Sequence, residues 1–285
     1  MGELRDRMIR EMQLRRFAPG TQDAYAHAVA GLVKYHHRSP DRISLEQVKD
    51  YLLHLMNERK LSWSAVNVKI AAIRFFYVET LKRQDVTADI PPRRTPRSLP
   101  EILSAHEIEQ LFAVTTNPKH RMLLMTAYAT GLRRAELVGL KVSDIDSDRM
   151  MVRVDQGKGK KDRYTILSKR LLHELRTYWK IKRPPVWMFP GADRHRHISR
   201  ETIGKIYETA KIKAGIKKAG GIHTLRHCFA THLLEAGVDV RTIQVLMGHQ
   251  SIRTTIRYLQ LTRKKLDASA DLLDLLKPIL PQQAQ

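Results

Sequence analysis

Along most of this chain, apolar residues recur three and four positions apart, the spacing of helices that lay one face on a core. Between Thr21 and His37, the residues Tyr25, Val29, Leu32 and Val33 share such a face. Ser44 followed by Gln47 is a capping-box pattern and opens a second helix through Leu45, Val48, Leu52 and Leu55. A third is expected after Ser64, with Val66, Ile70, Ile73 and Tyr77 inward and Lys69 and Arg74 outward. With the segment near Leu4 to Leu14 these predict a four-helix unit.

Residues 85–100, DVTADIPPRRTPRSLP, are rich in proline and arginine and carry no apolar period, the composition of an extended linker. Helical spacing resumes after Ser104 through Ile108, Leu111 and Phe112, and again from Leu123 to Leu140. One stretch switches period: in MMVRVDQGKGKKDRYTIL, Met150, Val152 and Val154 alternate with polar positions, as do Tyr164 and Ile166 beyond a glycine-lysine turn. That predicts a β-hairpin with GKGKK at its tip. From Leu171 onward the chain reads as helix, apart from RPPVWMFPG. The expected fold is mainly α with a small β-hairpin or sheet. Its expected parts are a helical N-terminal domain over 1–90, a basic proline-rich linker over 91–102 and a mixed α/β domain over 103–285.

Charge adds a partner class. The 285 residues hold 51 Lys and Arg against 29 Asp and Glu, a net +22, so a polyanion is the first partner to consider. Residues 1–94 contain 17 basic and 11 acidic side chains, or +6, which leaves +16 for the remainder, so both halves are expected to touch it. No run reaches the roughly 18 apolar residues of a membrane span, and MGELRDRMIREMQ lacks the apolar region of a signal peptide, so a soluble intracellular protein is expected. A single cysteine, Cys228, excludes an intrachain disulfide and a multi-cysteine zinc site.

Five segments carry candidate chemistry. In TGLRRAELVGL, Arg133 and Glu136 lie one turn apart and can form a surface ion pair or act as a functional cation with its support. In the hairpin tip, Lys158 stands between Gly157 and Gly159, with Lys160 and Lys161 beyond; the spacing is not that of a Walker phosphate loop. In GIHTLRHCFATHLLEAGV, the residues His223, Arg226 and His227 share one side of a helix start, at a spacing that also suits zinc, although no carboxylate or further cysteine completes a ligand set. In MGHQSIRTTIRYLQL, Gly248 ends one helix, His249 sits in the turn, and Ser251 caps the next helix, which carries Tyr258. The last, LDASADLLDLLKPIL, is a leucine stripe without a catalytic group. Together the first four supply cations, proton donors and one phenol. Such a set suits a phosphodiester under attack, whose non-bridging oxygens gain charge that arginines bind. A phenol with an unperturbed pKa of about 10 needs neighbours of that kind to react near neutrality.

TGLRRAEL, GKGKK, HTLRH and GHQSIRTTIRY, in that order over about 130 residues, closely resemble the motifs of the tyrosine recombinases, also called phage-type integrases. The resemblance implies a helical core-binding (SAM-like) DNA-binding domain linked to a catalytic domain of the DNA breaking-rejoining type. It implies Arg133, Lys158, His223, Arg226, His249 and the nucleophile Tyr258 as catalytic residues, with Glu136 supporting Arg133. Candidate DNA contacts are Arg93, Arg94, Arg97, Lys160, Lys161, Lys69 and Arg74. The implied reaction forms a 3′-phosphotyrosyl bond and needs neither metal, other cofactor nor ATP. Implied partners are double-stranded DNA with specific recombination sites, a homo-tetramer on two sites, and a related recombinase or accessory protein, with no membrane. The implied setting is the bacterial cytoplasm, at the nucleoid. TTIRYLQL around the tyrosine looks more like integrases of mobile elements than like Xer proteins that resolve chromosome or plasmid dimers. A type IB topoisomerase-like enzyme and a catalytically silent DNA binder are the competing classes. The tail, about 262–285, carries Leu266, Leu272, Leu273, Leu275 and Leu276, an apolar stripe that can fold back in cis; the resemblance implies that it docks on a neighbouring protomer.

Overall fold

A computed structural model describes residues 2–85, 99–155 and 162–261. The chain divides into two compact units, Met1–Arg97 and Ser98–Gln285. The linker arginines Arg93, Arg94 and Arg97, the hairpin lysines Lys158, Lys160 and Lys161, and the tail from 262 lie outside the described residues.

The first unit is built from α1 (Gly2–Leu14), α2 (Pro19–His36), α3 (Leu45–Asn57) and α4 (Trp63–Phe75), the last continued by a wider turn over Phe76–Thr80. Ser44 and Gln47 form the capping box at the head of α3. At α4 the cap is Ser62 rather than Ser64, because the helix opens with the Ala65 amide donating to the Ser62 hydroxyl oxygen at 3.3 Å. Met8, Met12, Leu32, Val48, Leu52, Ile73 and Phe76 fill the core, each worth roughly 1.5–3 kcal/mol of apolar burial. Lys69 and Arg74 are half-buried on α4, not fully outward.

The second unit begins with α5 (Ala105–Ala113), α6 (Pro118–Thr130) and the short α7 (Arg134–Val138). A three-stranded antiparallel sheet follows: β1 (Ile145–Asp146), β2 (Met151–Val154) and β3 (Arg163–Ile166), in that order. Then come α8 (Lys169–Lys182), α9 (Arg200–Lys213), α10 (His223–Glu235), α11 (Val240–Met247) and α12 (Ile252–Ile256), closed by a 3-10 turn over Arg257–Leu261. The fold is thus mainly helical with a small sheet. No described helix is long and apolar enough to cross a membrane.

The hairpin departs from the simple alternating reading at its second strand. Val152 pairs with Thr165 and Val154 with Arg163, and paired residues share a face, so the buried valines bring Thr165 and Arg163 inward. Tyr164 and Ile166 therefore face out, while Thr165 is 1 % exposed. Burying two polar side chains requires partners, and both find them on helix ends: the Thr165 hydroxyl donates to the Thr130 carbonyl at 2.9 Å, and Arg163 reaches α7 and α11.

Candidate active site

The site is assembled where α6 and α11 end and α7 and α10 begin. Gly131 follows α6 and Gly248 follows α11, each with a φ of 61°, a left-handed conformation that glycine adopts without strain. The last carbonyls of α6 and α11 have no partner within their helices. Arginines supply it. Arg226, near the start of α10, donates from Nη1 to the Gly131 carbonyl and from Nη2 to the Met247 carbonyl at 2.6 Å. Arg133 donates from Nη2 to the Gly248 carbonyl at 2.7 Å, and Arg163 from Nε to the Leu246 carbonyl at 3.2 Å. The helix ends also carry partial negative charge, which favours cations at this place.

Glu136 ties two of these arginines together. It occupies the third position of α7 and accepts the Arg133 backbone N–H on Oε2 at 2.8 Å, capping the helix. The same carboxylate accepts from Arg133 Nη1 on Oε1 at 2.8 Å and from both Nη atoms of Arg163 at 2.8 and 2.7 Å. Burial alone raises a carboxyl pKa, but the two guanidiniums, Arg163 foremost, overcome it and hold Glu136 at about 2. Arg226 is 3 % exposed, and burial, then the charge of Arg133, lowers it to about 10. It stays charged at neutral pH.

Tyr258 and the histidines meet this arginine frame in one cleft of about 660 Å³, whose lining includes Arg133, His223, Arg226, His227, His249 and Tyr258. Tyr258 lies not on α12 but on the 3-10 turn after it, and is 5 % exposed. Its hydroxyl is 2.9 Å from His227 Nδ1. The His249 ring lies parallel to the phenol at 6.3 Å between centroids, and its Nδ1 is 2.8 Å from the Thr255 hydroxyl. His223 sits at the rim, edge-on to His227 at 5.7 Å.

The local field disfavours added positive charge. Burial first, then Arg226 and Arg133, lowers His249 to about 3; burial, then His223, Arg226 and Arg257, lowers His227 to about 4. His223 is lowered as well, by its partial burial and the same arginines. All three imidazoles are therefore neutral at pH 7, able to accept one hydrogen bond and donate another. Burial raises the Tyr258 phenol against the opposing pull of Arg226, Arg257 and Arg133, so it is protonated.

Five of the six sequence candidates, Arg133, His223, Arg226, His249 and Tyr258, thus line one cleft, with Glu136 behind Arg133. Lys69 and Arg74 belong to the other compact unit. Sequence reading missed Arg163, whose inward position on β3 is set only by its pairing with the buried Val154. It weighed His227 only as a metal ligand, whereas its Nδ1 is turned to Tyr258.

Comparison with known proteins identifies the family. The phage integrase family matches residues 101–265, and the N-terminal SAM-like domain of phage integrases matches residues 4–85. A Sinorhizobium fredii chain named as an integrase/recombinase is 44% identical over 278 residues, covering 97% of this chain and 90% of that one. The tyrosine recombinase XerA of Pyrococcus horikoshii is 33% identical over 238 residues, covering 81% and 82%. In fold, the chain is similar to the crystal structure of a lambda integrase dimer bound to a COC′ core site, with a TM-score of 0.74 and 18% identity over 90% of this chain and 94% of that one. The chain therefore belongs to the phage integrase family, and it is a tyrosine site-specific recombinase.

Proposed function

We propose that the chain cleaves and rejoins DNA at specific sites through a covalent 3′-phosphotyrosyl intermediate. The observation that carries this reading is the placement of the Tyr258 hydroxyl in the cleft that Arg133, Arg226 and His249 also line. Tyr258 attacks the scissile phosphorus and the 5′-oxygen leaves. Arg133, Arg226 and His249 stabilise the charge that develops on the non-bridging oxygens. Lys158 protonates the leaving oxygen, and His223 assists proton transfer. The phosphotyrosyl bond keeps the energy of a diester, so a 5′-hydroxyl from another strand reseals it without ATP, metal or other cofactor. Exchange between two duplexes takes four such steps and therefore a tetramer on two sites, with the tail from 262 docked on a neighbouring protomer.

The net charge of +22 supplies sequence-independent affinity for the phosphate backbone. Residues 1–90 and 103–285 hold the duplex as core-binding and catalytic domains joined by the basic linker 91–102. Arg93, Arg94, Arg97, Lys160, Lys161, Lys69 and Arg74 are the proposed backbone contacts. The biological role is integration, excision or resolution of a mobile element; resolution of chromosome or plasmid dimers, the role that the resemblance to Xer proteins implies, is the second reading.

The test is to trap covalent protein–DNA adducts in cells that express the chain, sequence the junctions, and repeat with Tyr258→Phe. Adducts at a recurring sequence, lost in the variant, are expected. Their absence with the unsubstituted chain, or their persistence in the variant, refutes the reading.

A further inference from the structure

We propose that His227 is a catalytic residue of this chain: its Nδ1 holds the Tyr258 hydroxyl and takes its proton as the phenol attacks phosphorus. The inference rests on the reading of Tyr258 as nucleophile and adds the destination of its proton. The geometry is direct, since Nδ1 is 2.9 Å from the hydroxyl oxygen, within the reach required of a general base. Position also favours it. His227 is on α10 one residue after Arg226, whose guanidinium is clamped to two helix ends, so the ring is carried on a fixed element.

The step balances without a further reactant. The Tyr258 O–H bond breaks, its proton passes to Nδ1, the phenol oxygen bonds to phosphorus, and the bond from phosphorus to the 5′-oxygen breaks. That oxygen leaves with a proton from the general acid on its own side. Resealing runs the same path backwards, and the imidazolium returns the proton to the phenol.

The surroundings make this proton transfer dependent on the substrate. Groups facing His227 are His223 and Arg226 from its own helix, Tyr258 and Arg257 from the turn after α12, and His249 from the turn after α11. Burial together with the positive members of this set leaves the imidazole neutral and a weak base, while burial keeps the phenol protonated. A phosphodiester seated between Arg133 and Arg226 brings negative charge into that field. The imidazolium is then stabilised, so His227 becomes a stronger base only when there is a phosphate to attack. Without DNA the nucleophile stays masked.

The experiment measures single-turnover cleavage of a nicked duplex carrying a junction recovered from the adduct mapping. It compares the full chain with His227→Asn, His227→Ala and Tyr258→Phe. Asparagine places an amide near the position of Nδ1 and keeps a hydrogen bond without the basicity. Both His227 variants are expected to bind the duplex as the unsubstituted chain does but to cleave it about 100-fold more slowly. Added imidazole is expected to raise the rate of His227→Ala at least about tenfold, a rescue that a merely structural role does not give. Cleavage by His227→Asn within about threefold of the unsubstituted rate overturns the proposal, as does a slow His227→Ala that binds DNA normally and ignores imidazole. If Tyr258→Phe still forms an adduct, the nucleophile assignment fails instead, so the two failures are distinct.

Discussion

Replacing Glu136 with Gln tests whether the arginine frame is held by charge. The carboxylate accepts from Arg133 and Arg163 and its side chain is only 7 % exposed, so solvent screens the interaction little. Lowering its pKa from 4.5 to about 2 corresponds, at 1.36 kcal/mol per pH unit, to roughly 3 kcal/mol of folding stability at neutral pH. The folded pKa is the depressed one, so this contribution is fully present above pH 4.5 and is lost as the pH falls towards 2. Urea unfolding of the chain and of Glu136→Gln is the assay, at pH 7 and at pH 3. The variant is expected to be less stable by roughly 3 kcal/mol at pH 7 and by only roughly 1 kcal/mol at pH 3, where protonation has done most of what the substitution does. A deficit of the same size at both pH values would show that glutamine merely packs badly, and the charge argument would be wrong.

Arg133→Ala and Arg226→Ala should each abolish covalent adduct formation while site binding in a mobility-shift assay weakens little, because the remaining basic surface supplies most of the affinity; equal loss of both would make these residues anchors. Gly131→Ala should destabilise the fold by about 1–3 kcal/mol in a denaturant titration, since the residue has a φ of 61° and an added Cβ would lie 2.3 Å from the Phe229 ring. Thr255→Val removes the hydroxyl that sits on His249 Nδ1, and is expected to slow cleavage without lowering the melting temperature by more than a few degrees. A rate equal to that of the unsubstituted chain would mean that the His249 ring is oriented by its stacking on Tyr258 alone.

The helical skeleton was legible because its signals are local. The capping box of Ser44 and Gln47, the glycine after α11 and the Ser251 cap of α12 each depend on residues within one turn of one another. Ser62 and Ser64 flank the same tryptophan and offer the same cap, so only packing chooses between them. The inward face of β3 could not be read from alternation, because its buried residues are the polar ones, satisfied by carbonyls about thirty or more positions away in sequence. For the same reason Arg163 went unseen: Glu136, Leu246 and Arg163 are brought together only by the fold. Tyr258 and the arginines were found through motif order, whereas the role of His227 needed a distance.

The two arginines that receive the phosphate in the proposed reaction already cap the ends of α6 and α11. Their side-chain order is therefore established during folding rather than on encounter with a ligand. A receptor of that kind is stiff: it loses little entropy when an anion arrives and discriminates sharply against one whose oxygens are misplaced. Loosening it would trade fidelity of strand cutting for tolerance of poorly matched duplexes.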